Sequence, residues 1–357
     1  MTATAAPRVR TALGRPAPAF VLLGLGVLLA IAVTSAAGAG QLHISFAEVL
    51  GSVMHRFGLD LGPMPSHPQG DATLWQVRFP RVAMAVLVGA ALGAAGAVMQ
   101  GVFANPLAEP GVVGVSAGAA FAAAAVIVFD LTVLGSWTIA AAAFVGGLVT
   151  TLAVYALARD GGRTEVVTLV LTGVAINAMA GAALAYLMFL GDTQAREEIV
   201  FWQLGSLNGS RTDHLLVTAP VTLAGLLGAI LVARQLDLLA LGDRSARHLG
   251  VDVERLRLIS IVVVAVLTAA AVSFAGIIAF VGLIVPHLMR ILVGPGHRIL
   301  VPASALAGGL LLVVADLWAR TAIAYADLPI GMLTALVGGP VFFWLLRRAR
   351  KTAGGWA

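Results

Sequence analysis

Few side chains in this 357-residue chain are placed to do chemistry, and the most suggestive is the serine of Gly114-Val115-Ser116-Ala117-Gly118. G-x-S-x-G is the spacing of a nucleophile elbow, in which a serine on a strained strand-to-helix turn attacks an acyl carbon. Such a serine needs a base, and His287 is the deeply placed candidate. The elbow also needs a preceding strand, whereas Pro106 and Pro110 lead into an apolar helical context here. Close helix packing is the simpler reading of Gly114 with Gly118, and of Gly89 with Gly93. Metal ligation fares no better. The seven histidines (43, 55, 67, 214, 248, 287, 297) never pair at ligand spacing, and the absence of cysteine removes thiolate sites. Lys351 precedes Thr352, but Arg350 stands where a P-loop requires glycine, so the chain has no nucleotide site and no cofactor of its own. Asp316 and Arg320, at i and i+4, read as a local ion pair, and no acidic relay of the kind a proton-driven pump needs is visible.

These residues sit in a chain that is 60% hydrophobic and 11% charged, so lipid must be its solvent. Apolar runs predict ten transmembrane helices, at 18–39, 80–103, 112–130, 135–158, 166–190, 214–234, 257–275, 277–293, 301–322 and 329–346. The eighth is the weakest, interrupted by Pro286, His287 and Arg290. An even count puts both termini on one side. Placing them in the cytoplasm gathers Arg8, Arg10, Arg15, Arg159, Arg163, the five arginines of 234–257, Arg290, Arg298 and the basic tail 347–357. Only Arg56, Arg78, Arg81, Arg196, Arg211 and Arg320 remain outside, which is the positive-inside bias. The net charge of +5 is therefore an orientation signal rather than a nucleic-acid footprint. The expectation is an all-α, multi-pass protein of the cytoplasmic membrane, with a single domain over 18–346 after a cytoplasmic segment at 1–17. The N-terminal stretch also imitates a signal peptide, and its removal would leave nine spans; a retained first span is the expectation.

Two connections are long enough to act. In the outer segment 40–77, Ser45 and Glu48 form a capping-box pattern that opens a short surface helix. The inner segment 235–258 has helical periodicity broken by Gly242 and Gly250, which predicts two short amphipathic helices. They could lie on lipid or be gripped by a cytosolic partner. A third feature is the break Asn105-Pro106-Leu107-Ala108-Glu109-Pro110 between the second and third spans. Each proline lacks an N–H, and carbonyls freed at that depth are tolerated only inside protein or along a watery path. A packed hairpin would satisfy them as well, but Gln100, Ser116 and Asn177 inside neighbouring spans favour a pathway.

The blocks 78–120 (RFPRVAMAVLVGAALGAAGAVMQGVFANPLAEPGVVGVSAGAA), 241–257 (LGDRSARHLGVDVERLR), 276–298 and 315–346 resemble permease subunits of ABC importers for iron–siderophore complexes, haem and vitamin B12. The likeness runs collinearly over nearly the whole chain. It implies the type II importer permease fold, a homodimer with its pathway on the dyad, two separate P-loop ATPase subunits that use ATP and magnesium, and an extracytoplasmic substrate-binding protein. It implies that Arg78 and Arg81 of the R-x-P-R motif, with Arg320, point outward to dock that binding protein. It makes Asn105 and Leu107 cytoplasmic gate residues, and the 239–256 elbow, with Gly242, Arg244, Arg247, His248, Gly250 and Arg255, the ATPase coupling contact. The segment 173–210 looks closest to haem and siderophore members, with haem ahead of siderophores and vitamin B12 behind. A secondary transporter acting alone and an intramembrane serine hydrolase are the readings from other classes.

Overall fold

In the computed structural model, residues 17–161 and 163–352 are described; the segment 1–16 and the residues 353–357 of the expected tail lie outside them. Among the described residues, eight helices are long and apolar enough to cross a membrane. They include α1 (Pro18–Gly38), α6 (Thr138–Leu157), α7 (Val166–Leu190) and α9 (Thr212–Leu239), then α11 (Val253–Ala275), α13 (His297–Thr321) and α14 (Ile330–Thr352). The remaining one is a continuous helix, Gly70–Val102. It comprises a first turn α3 (Gly70–Thr73), a π segment Leu74–Arg78, and α4 (Phe79–Val102). The π segment widens the helix just where Arg78 enters the bundle, and such bulges re-aim side chains.

The expected third and eighth spans are corrected. Their helices, α5 (Val115–Val128) and α12 (Val281–Val293), have only 14 and 13 residues. At about 1.5 Å per residue each covers about 20 Å, short of a ~30 Å hydrocarbon core. The physical reason is the backbone before each one. Pro110–Val113 forms a 3₁₀ turn that ends on Gly114 at φ 88°. Gly276 at φ 67° stops α11, and Phe280, also at φ 67°, precedes α12. The two breaks meet inside the bundle. The Phe280 N–H donates to Glu109 Oε1 at 3.3 Å, and a Cβ on Gly282 would touch the Pro110 ring at 2.9 Å. Two half-length helices thus start from a common interior point and run to opposite ends. Buried backbone there is paired: Ser206 N–H donates to the Ala275 carbonyl at 2.8 Å, and Ile330 N–H to the Gly205 carbonyl at 2.9 Å.

The centre of the bundle is α4, almost wholly buried, packed most extensively on α13 and also on α9, α11 and α12. Small residues make that approach possible, as expected for Gly89 and Gly93, whose added Cβ atoms would lie 2.2 Å from the Gly308 carbonyl oxygen and 2.1 Å from that of Ser304. The lipid-sized helices at the periphery, α7 above all, leave large apolar side chains exposed, among them Val167, Leu171, Met179 and Phe189.

Three further local elements lie outside the long helices, besides the elbow described below. α2 (Phe46–Arg56) begins with the anticipated capping box: Ser45 Oγ accepts from Glu48 N–H, and Glu48 Oε2 accepts from Ser45 N–H at 2.8 Å. Glu48 also accepts from Ser66 N–H at 2.7 Å, and these hydrogen bonds hold its carboxyl down at about 2. A depressed folded pKa means the contribution is complete above the ordinary carboxylate range and fades as pH falls toward 2. Glu48→Ala should therefore deprotect the Ser45 and Ser66 amides in hydrogen exchange at pH 7. Unchanged protection would reject the box. The second element, α8 (Thr193–Leu204), is capped by Asp192 accepting from Ala195 N–H at 2.8 Å, and the span pattern had not singled it out. The third is a two-residue antiparallel ladder, β1 (Arg159–Asp160) with β2 (Arg163–Thr164).

Candidate functional site

The break at 103–114 is held from three sides. Asn105 is exposed, and its side-chain oxygen accepts from Leu107 N–H at 3.0 Å, an Asx turn that closes the bend after Ala104 at φ 47°. Leu107 is half-buried. His287 on α12 hydrogen-bonds the backbone of Pro106, which can only be its carbonyl. Asn177 on α7 donates to the Gly111 carbonyl at 3.2 Å. Glu109 accepts from Phe280, as described. Carbonyls that the prolines strand are thus met by side chains from neighbouring helices, which is how irregular backbone survives at membrane depth. Two sequence expectations change here. Gln100 is buried between α4 and α12, donating to the Leu283 carbonyl at 3.1 Å, so it braces the helix pair instead of lining an open path. His287 is committed to the turn, and Ser116, half-buried on the first turn of α5, follows no strand, so the elements of a nucleophile elbow are not assembled.

At the opposite end of α4 the three arginines expected to point outward are turned inward. Arg78 is 5% exposed; it donates to the carbonyls of Ala37 and Gly38 at 2.8 Å, and to that of Leu42. Arg320 donates to Ala39 O at 2.9 Å and to Ala36 O. Together they satisfy the last carbonyls of α1, which carries no basic residue in its own final turn. Arg81, 8% exposed, bridges two carboxylates: Asp316 at 2.9 Å and Asp327 at 3.0 Å. Asp316 also faces Arg320 at 3.4 Å, the anticipated i, i+4 pair. The Arg81–Asp316 pair, separated by 235 residues, is the stronger contact and was invisible to spacing.

The elbow is also simpler than predicted. One six-residue helix, α10 (Asp243–His248), stands where two were expected, bracketed by Gly242 at φ 97° and Gly250 at φ 85°. The flanking residues belong to long helices: α9 continues to Leu239, and Asp252 caps α11 by accepting from Arg255 N–H at 3.0 Å. Arg257, 6% exposed and not anticipated, ties the elbow together. It donates to Asp243 at 2.9 Å and to the Thr164 carbonyl at 2.9 Å, while Glu254 accepts from Thr164 N–H at 3.1 Å. The α10 helix is thereby clamped both to α11 and to the β1–β2 turn. Arg244, Arg247 and His248 line one cleft with Asp243 and Glu254, whereas Arg255 and Gly250 line another. At the same end, His297 at the start of α13 bonds Asp237 of α9 through both backbone and ring nitrogen, at 2.6 and 2.8 Å.

The model of the FecCD transport family matches residues 28–348. The chain belongs to that family. The hemin transport system permease protein HmuU of Yersinia pestis is 39% identical over 96% of this chain and 99% of its own length. The cobalamin import system permease protein BtuC of Halobacterium salinarum is 44% identical over 76% of this chain and 72% of its own. A solved structure described as the inward-facing conformation of a metal-chelate type ABC transporter superposes with a TM-score of 0.81 at 31% identity, covering 92% of this chain and 99% of that one. The fold expectation, an all-α permease of the type II importer kind, is thereby met. This FecCD-family chain is a multi-pass protein of the cytoplasmic membrane, and its relatives are permease subunits rather than enzymes.

Proposed function

We propose that the chain is the membrane subunit of an ATP-driven importer that carries an iron chelate, haem ahead of ferric siderophores, from a binding protein to the cytoplasm. The observation that carries this reading is the pair of half-length helices whose broken ends meet at Glu109 and Phe280. Such a joint can open by moving whole helices without exposing backbone to lipid. Haem is placed first because the haemin permease aligns over 96% of the chain. The second reading, vitamin B12, has the higher identity of 44% over a shorter 272 residues in its favour. Two copies place the pathway on a dyad, and the exposed Ala175, Ala178, Met179 and Ala182 of α7 supply a face lined with small residues and methionine for it. Asn105 and Leu107 form the cytoplasmic gate. Two P-loop ATPase subunits, holding ATP and magnesium, seat on Gly242, Arg244, Arg247 and His248, and the Arg257 clamp passes their motion into α11 and the β1–β2 turn. Binding-protein docking falls on the rim that Arg78, Arg81 and Arg320 hold in shape.

The test is reconstitution in liposomes. Haem uptake should require binding protein, ATPase and ATP together, with vanadate abolishing it. Uptake by the lone chain along an ion gradient would reject the importer in favour of a secondary transporter. Ser116→Ala should retain most of the transport rate, and its loss would revive the hydrolase.

A further inference from the structure

Between the ends of α9 and α11 lies a cleft lined by Arg234, Asp252 and Arg255, with Leu238, Leu249 and Ile259 as apolar wall. Both arginines are exposed, and among the described residues neither has an ion-pair partner. Their neighbours in the elbow, Arg247 and Arg257, face Asp243 and Glu254. Asp252 is the one carboxylate in the cleft, and it is occupied in capping α11.

Depth identifies what these two guanidinium groups face. On α9, residues 214–233 carry no Asp, Glu, Lys or Arg, a run of 20 that ends at Arg234. On α11, Leu258–Ala275 is equally free of charge for 18 residues, starting one turn after Arg255. At about 1.5 Å per residue these runs span about 30 and 27 Å, the thickness of the hydrocarbon core. Both arginines therefore stand where acyl chains give way to headgroups, on the side rich in arginine. Exposed Leu231 on α9 and Val262 on α11 continue the apolar wall into the membrane. Two forked donors above an apolar groove match a phosphodiester with its tails. We propose that this cleft binds the headgroup of an anionic phospholipid of the cytoplasmic leaflet. That assignment takes Arg255 out of the ATPase contact, leaving Arg244, Arg247 and His248, in the other cleft, for that partner.

The experiment uses the purified full chain in neutral detergent, with no nucleotide, cargo or partner, so its failure is separate from failure of the importer reading. Thermal unfolding is followed with phosphatidylglycerol, phosphatidylcholine or inorganic phosphate added, for the native chain and for Arg234→Gln/Arg255→Gln. Phosphatidylglycerol should raise the native midpoint by several degrees and the other two additives should not. The double variant should keep its basal midpoint, because both groups are exposed, and lose most of the shift. Phosphatidylglycerol co-purifying with the protein, counted by lipid mass spectrometry, should fall in parallel. An equal shift in the variant, or an equal shift with inorganic phosphate, overturns the proposal.

Discussion

Gly96→Ala should all but eliminate folded protein, although it adds a single methyl group to the middle of a helix. The new Cβ would sit 1.8 Å from the Gly282 carbonyl oxygen and 2.6 Å from its carbon. Both atoms are backbone, so no rotamer change relieves the overlap, and α4 is fixed by α13 on another side through Gly89 and Gly93. Ordinary overpacking of a core costs about 1–3 kcal/mol. Here two helix axes must separate, which should exceed about 3 kcal/mol and approach the whole stability of a domain. Gly24→Ala on α1 is the control: nothing lies within 4 Å of its added Cβ. It should be neutral or stabilising by about 1 kcal/mol, the ordinary gain of alanine over glycine in a helix. Gly101→Ala falls between them, because its Cβ meets the His297 ring at 2.5 Å rather than backbone. Yield of monodisperse protein and the thermal midpoint should rank Gly24→Ala above Gly101→Ala above Gly96→Ala. Equal midpoints for the first and last would refute the packing.

The same contact explains what could and could not be read from the chain. Gly89 and Gly93 were legible as a helix-approach motif because the i, i+4 repeat of small residues lies within one segment. Their partners Ser304 and Gly308 are about 210 residues away, and no periodicity announces them. Eight of the ten expected spans are long apolar helices among the described residues, found by length, and the surface helix was found by the Ser45–Glu48 spacing; all of these are local facts. Hydropathy failed at α5 and α12 because it measures greasiness and not hydrogen bonding. Residues 110–114 and 276–280 are apolar enough to extend a span, yet Gly114, Gly276 and Phe280 take positive φ there. Pro106 and Pro110 flagged the first break; nothing as plain as proline flags Phe280. The elbow lost its second helix for the related reason that Asp252 caps α11 directly, so what looked like an independent amphipathic turn is that helix's beginning. The outward orientation of the three arginines was carried over from the family resemblance, and a motif does not show which groups a side chain meets. Here those partners are α1 carbonyls and two aspartates from the far end of the chain.

Arg81→Met should destabilise the isolated chain by about 3–5 kcal/mol, the usual cost of removing one partner from a buried ion pair. Asp316, 1% exposed, would keep Arg320 at 3.4 Å, and Asp327 would lose its ion-pair partner among the described residues. Arg81→Lys should recover little, because one ammonium cannot hold two carboxylates that the guanidinium fork meets at 2.9 and 3.0 Å. Removing both charges, as Arg81→Met with Asp316→Leu, should restore much of the loss, since the penalty lies in the stranded carboxylate more than in the missing pair. Arg320 moderates that recovery, because it would then lack its carboxylate and rely on the carbonyls of Ala36 and Ala39. A residue that served only as a docking contact would behave otherwise: its replacement would leave the isolated chain's thermal midpoint alone and weaken only the binding protein's association. Salt separates the two roles further. At about 1 M salt the screening length falls to about 3 Å, so exposed charge contacts fade while a buried pair persists. The destabilisation by Arg81→Met should thus survive high salt in the chain alone, and a midpoint equal to the native one there would return Arg81 to the surface.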